Sequence, residues 1–116
     1  MFDYSEYQTQ LACGSVDMRK SINGLCEIVM QQFQLDPREK IIFAFCNRSR
    51  NRVKLLVWED NGFWVHFKRV ERGTIPWPEE IDGELTMEFG VDELMNLIKS
   101  PGLKQKIKRQ EVWGDR

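Results

Sequence analysis

Between two stretches rich in β-branched and aromatic residues, 52–60 and 63–72, stands the dipeptide Asn61-Gly62. A two-residue connection of this composition favours a type I′ turn, because both residues accept the positive φ that its central positions need. The two stretches therefore read as an antiparallel hairpin, closed by Gly73. A turn centred on Asn61-Gly62 also fixes the register. On one side of the ribbon Trp58 faces Val65, Leu56 faces Phe67, Lys54 faces Arg69 and Arg52 faces Glu71. On the other, Glu59 faces Trp64, Val57 faces His66, Leu55 faces Lys68 and Val53 faces Val70.

Around the hairpin the remaining elements fall into place by period. Apolar residues at Met18, Ile22, Leu25, Val29 and Phe33, with Cys26 and Met30 alongside, mark one face of an α-helix. Asp17 is its expected N-cap, and Asp36-Pro37 its expected end, since a residue before proline is pushed out of the helical region. Residues 41–46 form an unbroken apolar, β-prone run, as for a strand covered on both faces. Residues 8–13 and 84–89 read as shorter strands, and Val91, Leu94, Met95 and Ile98 as a short C-terminal helix. The expected fold is α+β: a mostly antiparallel sheet with a central hairpin, one long helix packed on a face and a short C-terminal helix. Residues 1–101 are expected to form one compact domain and residues 102–116 a basic tail.

The formal net charge of −1 hides a marked segregation. From position 48 to 72 there are seven basic and three acidic residues; from 79 to 93 there are seven acidic and no basic ones. Residues 99–116 are again basic, six against two. Lys54 set against Arg69, with Arg48, Arg50, Arg52, Lys68 and Arg72 nearby, places like charges where they destabilise a strand pair. Such an arrangement calls for an anion. The acidic block of the chain itself, a phosphate backbone and a carboxylate-rich protein partner all fit that description. Trp64 and Trp77 are available to stack on bases or to hold a partner. Arg19 and Lys20, read as the first turn of the long helix, oppose its macrodipole and form a second candidate anion site.

Other chemistry finds little support. His66 is the sole histidine, on a strand, where a structural role is the usual finding. Cys13, Cys26 and Cys46 lack metal-ligand spacing and fit reduced, buried thiols in a cytoplasmic protein. No glycine cluster cradles a phosphate, so no cofactor is expected, and no metal site is singled out. Asp17, Glu59, Asp60 and Glu71 are the carboxylates from which a small metal-dependent nuclease would have to build a site. No apolar run is long enough to span a membrane.

Two blocks carry a resemblance. Val16-Asp17-Met18-Arg19-Lys20 followed by Gly24-Leu25 is similar to the opening signature of the TnpB accessory proteins of insertion sequence 66 elements. Residues 47–52, with Lys54, Trp58, Gly62, Lys68-Arg69, Glu71-Arg72-Gly73 and Trp77-Pro78, resemble the central block of the same family. The resemblance covers residues 11–98, with Val16, Glu59 and Val70 as small departures. It implies a factor needed beside a separate transposase for transposition of a bacterial mobile element, and the expectation drawn here is that this factor is non-catalytic. DNA is then the expected partner of Arg19, Lys20, Arg48, Arg50, Arg52, Lys54, Lys68, Arg69 and Arg72. The alternative is a protein–protein adaptor that holds the transposase through Trp64, Trp77 and the acidic block, without binding DNA.

Overall fold

A computed structural model describes residues 3–99. The expected tail at 102–116 lies outside the described residues. The described chain forms five strands and two helices: β1 (Gln8–Ala12), α1 (Ile22–Ile28, continued by a π-helical turn Val29–Phe33), β2 (Ile41–Cys46), β3 (Arg52–Glu59), β4 (Gly62–Arg69), β5 (Thr86–Phe89) and α2 (Val91–Lys99). They make one sheet of order β4-β3-β2-β1-β5, in which β1 and β2 are parallel and all other neighbours antiparallel. The α+β architecture read from the sequence is the one observed.

The central strand β2 explains the layering. All six of its residues are buried, and they alternate between two cores. Ile42, Ala44 and Cys46 pack with Leu11, Val53, Val57, Leu94 and Ile98 on the α2 side. Ile41, Phe43 and Phe45 pack with Ala12, Leu25, Val29 and Leu56 on the α1 side. A period-2 strand between two helices must be apolar on both faces, which the sequence supplies here without interruption. Thr9, the buried polar residue of the core, is satisfied by donating its hydroxyl to the carbonyl of Phe89.

Two local expectations are corrected. The long helix starts at Ile22 rather than at Asp17, with extended Ser21 at its N-cap position. Residues 17–20 form a separate turn, in which the Lys20 amide donates to the Asp17 carbonyl at 3.2 Å. Asp17 Oδ1 accepts the Arg19 amide at 2.9 Å, and this local bond competes with helical pairing. The helix also ends before Asp36, because Gln34 adopts the left-handed conformation at φ 58°.

The hairpin turn is the second correction. Glu59 pairs with Gly62, so the connection is Asp60-Asn61, with Asp60 at φ 56°. Aspartate tolerates the left-handed region and can open such a turn. Moving the turn back by one residue slides the register by two and leaves the faces unchanged. Trp58 now opposes Phe63, with ring centroids 4.9 Å apart at 68°, an edge-to-face pair that favours this register. Lys54 consequently opposes Phe67, and the like-charge pair becomes Arg52 opposite Arg69.

Candidate nucleic-acid interface

The loop joining β2 to β3 shapes the open end of the hairpin. Asn47 holds it through both ends of its amide. Its Oδ1 accepts the amides of Asn51 and Arg52 at 3.0 and 2.9 Å, and its Nδ2 donates to Asn51 Oδ1 at 2.8 Å. The loop is then tied to the segment after β4, since the Val70 amide donates to the Asn51 carbonyl and the Ile75 amide to the Arg50 carbonyl. Spacing alone gave no sign of this role for Asn47. The signal available in the sequence is the asparagine at each end of a five-residue loop, a residue type that hydrogen-bonds backbone nearby.

The cations gathered here divide into two groups by what they touch. Arg50 and Lys54 are internal. The Arg50 side chain is only 13% exposed; Nη1 donates to the Gly14 carbonyl and Nη2 to Glu79 Oε2, both at 2.6 Å. Lys54, on the α1 side of β3, points its ammonium at the carbonyls of Met18 and Lys20, at 2.7 and 3.0 Å. It therefore anchors the 17–20 turn against the sheet. The expectation that Lys54 faces Arg69 is overturned, and its ammonium is held by backbone carbonyls rather than by a carboxylate.

The second group faces outward. Arg48 and Lys68 are exposed, as is Lys20, and the three make no side-chain hydrogen bond or ion pair among the described residues. The stem of Lys20 lies across Gly24, where an added Cβ would come within 3.2 Å of Lys20 Cβ; this close passage is what the glycine permits. The Arg52 side chain makes one bond, donating to the amide oxygen of Asn51 at 3.2 Å. Arg69 reaches Glu71 at 2.8 Å and Arg19 reaches Asp17 at 2.7 Å, both exposed pairs of the kind that contribute little to stability. Arg72 is exposed in the loop after β4. Arg48 also lines a polar cleft of about 430 Å³ with Ser15, Arg50, Glu79 and Glu80.

The acidic block is divided, with Glu79 and Glu80 in the cleft beside Arg48 and with Glu88, Asp92 and Glu93 on β5 and α2. Glu79 alone of its carboxylates pairs with a hairpin-loop cation among the described residues. Glu88 lies on β5 and Asp92 and Glu93 open α2, where Glu93 Oε1 accepts the Gly90 amide at 2.8 Å and their charges favour the helix end. β4 and β5 are opposite ends of the sheet. With neighbouring strands about 4.8 Å apart, four intervals separate the basic edge from the acidic one by roughly 19 Å.

The two tryptophans part company. Trp77 is buried, 5% exposed, and its Nε1 donates to the Ala12 carbonyl at 2.8 Å. It is a core residue and not the exposed contact that the sequence suggested. Trp64, on β4, is 44% exposed; its Nε1 donates to Glu59 Oε1 and its ring stacks on His66. His66 in turn bonds the Tyr4 hydroxyl at 3.0 Å, and burial pushes its imidazole below its ordinary pKa against the pull of Glu59. Cys13 and Cys46 are buried and Cys26 half-buried; burial pushes all three thiols up. Asp17 and Glu71 each accept from an arginine, and no group of three or more potential metal ligands occurs among the described residues. No helix among those residues is long and apolar enough to cross a membrane.

Comparison with known proteins points one way. Residues 7–108 match the family described as IS66 Orf2 like protein. Two similar proteins are the uncharacterized proteins y4jC and y4hO of Sinorhizobium fredii (strain NBRC 101917 / NGR234), 31% and 29% identical over 77 residues. The alignments cover 66% of this chain in both cases, and 66% of y4jC and 67% of y4hO, about two thirds of each relative's length. No solved structure matches.

Proposed function

This chain belongs to the IS66 Orf2-like family, which has an accessory role in transposition of IS66 elements, and from that membership we propose that it contacts DNA, or the transposase–DNA complex, without catalysing a reaction. The contact surface is Lys20, Arg48, Arg52, Lys68, Arg69 and Arg72, with Arg19 at its margin. Arg50 and Lys54 hold the loops that carry this surface. One observation carries the reading: Arg48 and Lys68 face outward beside the open end of the hairpin with no side-chain partner among the described residues, and Glu79 is the acidic-block carboxylate that pairs with a cation there.

Arginine forks and lysine ammoniums on such a surface suit phosphate oxygens, and binding through them releases counterions. Affinity for a short duplex should then fall steeply with salt. Replacing Arg48 and Lys68 together by alanine should lower the slope of log affinity against log salt by about two. Unchanged affinity and slope in the double variant would refute the proposal.

A second reading is favoured by the exposure of Trp64 and Phe67, 44% and 54%, on the edge strand β4. There the protein is an adaptor that holds the transposase directly. A pull-down with purified transposase after nuclease treatment separates the two: retained binding that is lost in Trp64→Ser supports the adaptor, and loss of binding with the DNA supports the first reading.

A further inference from the structure

The two terminal strands of the sheet carry opposite charge. β4 ends in Lys68 and Arg69, whereas β5 carries Glu88 and follows Glu84. Neither strand has a second strand partner among the described residues, so each presents a row of outward amides and carbonyls. Both edges are also apolar: Phe67 is exposed on β4, and Leu85 and Met87 on or beside β5.

Strand direction makes these edges compatible. β1 and β2 run parallel, β3 runs against β2, and β4 against β3, so β4 has the direction of β1. β5 runs against β1. A second copy set beside the first in the same orientation therefore brings its β5 antiparallel to β4, with the α1 face continuous across the junction. Glu88 opposes Gln10, on the α1 side with Ala12, and Arg69 opposes Arg52, on the α1 side with Lys54 and Leu56. The carboxylate of one copy and the guanidinium of the next thus share a face, and a slide of two residues along the edge sets Glu88 diagonal to Arg69, within reach of a long side chain. Met87, on the opposite side of β5, shares its face with Trp64 and Lys68.

We propose that the protein self-associates head to tail, the basic edge strand β4 of one copy adding to the acidic edge strand β5 of the next. Charge selects this pairing over the others, since β4 against β4 and β5 against β5 each bring like charges together. The junction joins two different surfaces, so association is open-ended rather than closed at a dimer. It is also small, spanning at most the four residues of β5, which makes it a weak contact that strengthens with protein concentration. It requires no DNA and stands apart from the reading of the basic surface as a DNA contact.

Sedimentation of the DNA-free protein at low salt should show average mass rising with concentration and falling as salt is added. Glu88→Lys and Arg69→Glu, both at exposed positions, should each weaken association roughly tenfold with circular dichroism unchanged. An equimolar mixture of the two variants should restore it, because every junction then brings opposite charges together. A mass that stays monomeric across concentration at low salt overturns the proposal. So does association that neither variant weakens, or that mixing fails to restore.

Discussion

The Lys54 ammonium lies 2.7 Å from the carbonyl oxygen of Met18, thirty-six residues before it in the chain. A second bond, to the Lys20 carbonyl at 3.0 Å, fastens the whole 17–20 turn to the sheet. A lysine that looked available for an outside anion is instead the clamp that presents Lys20 to solvent. Lys54→Met keeps the length of the side chain and removes its donors. It should cost about 1.5–3 kcal/mol in urea unfolding, as expected for hydrogen bonds to a charged group. Among folded molecules the salt slope of DNA binding should change less than in Arg48→Ala/Lys68→Ala.

Asn47→Ala should destabilise the protein by about 2–3 kcal/mol, because the Asn51 and Arg52 amides lose their acceptor in a partly buried loop. Asn47→Asp retains that acceptor and loses only the donor to Asn51 Oδ1. Its cost in the same measurement should be the smaller of the two.

Asp17 makes a pH prediction. The Arg19 side chain, followed by the Arg19 amide, holds the Asp17 carboxyl at about 2, below its ordinary 3.8. A carboxyl depressed in the folded state favours folding when ionised. Its contribution is present above pH 4 and is lost as pH falls through about 2. Carboxyl NMR should show this low titration, and Arg19→Gln should return it towards 3.8.

Trp77 tests whether burial or recognition governs that residue. Trp77→Phe should cost about 1 kcal/mol for the lost bond to the Ala12 carbonyl, and Trp77→Ala about 3–5 kcal/mol for the cavity. Any fall in DNA or transposase binding should follow the folded fraction, read by near-ultraviolet circular dichroism. The exposed Trp64 is expected to behave in the opposite way, with stability little changed.

How far the sequence could be read depended on the range of the interaction. The six apolar residues of β2 dictate a doubly covered strand whatever surrounds them, and that expectation held residue for residue. The hairpin was legible as a hairpin, yet Asp60-Asn61 and Asn61-Gly62 both satisfy local turn rules. The choice between them rests on the cross-strand contact of Trp58 with Phe63. Asp17 looked like a helix cap by residue type, but its carboxylate bonds two residues on and closes a turn instead. The partners of Arg50 and Lys54 sit thirty-six residues away in both cases, and Glu79 twenty-nine from Arg50, beyond the reach of any pattern in one dimension.

Placing Lys68 and Arg69 at one rim of the sheet and Glu88 at the other turns a nearly neutral molecule into an electric lever. Its net charge of −1 gives little attraction to, or repulsion from, a polyanion at a distance. The couple exerted across a span of roughly 19 Å would still rotate it so that the β4 rim leads, at separations up to a screening length of about 8–10 Å. Orientation would precede touch, and added electrolyte would abolish the turning before it dissolved any contact already made.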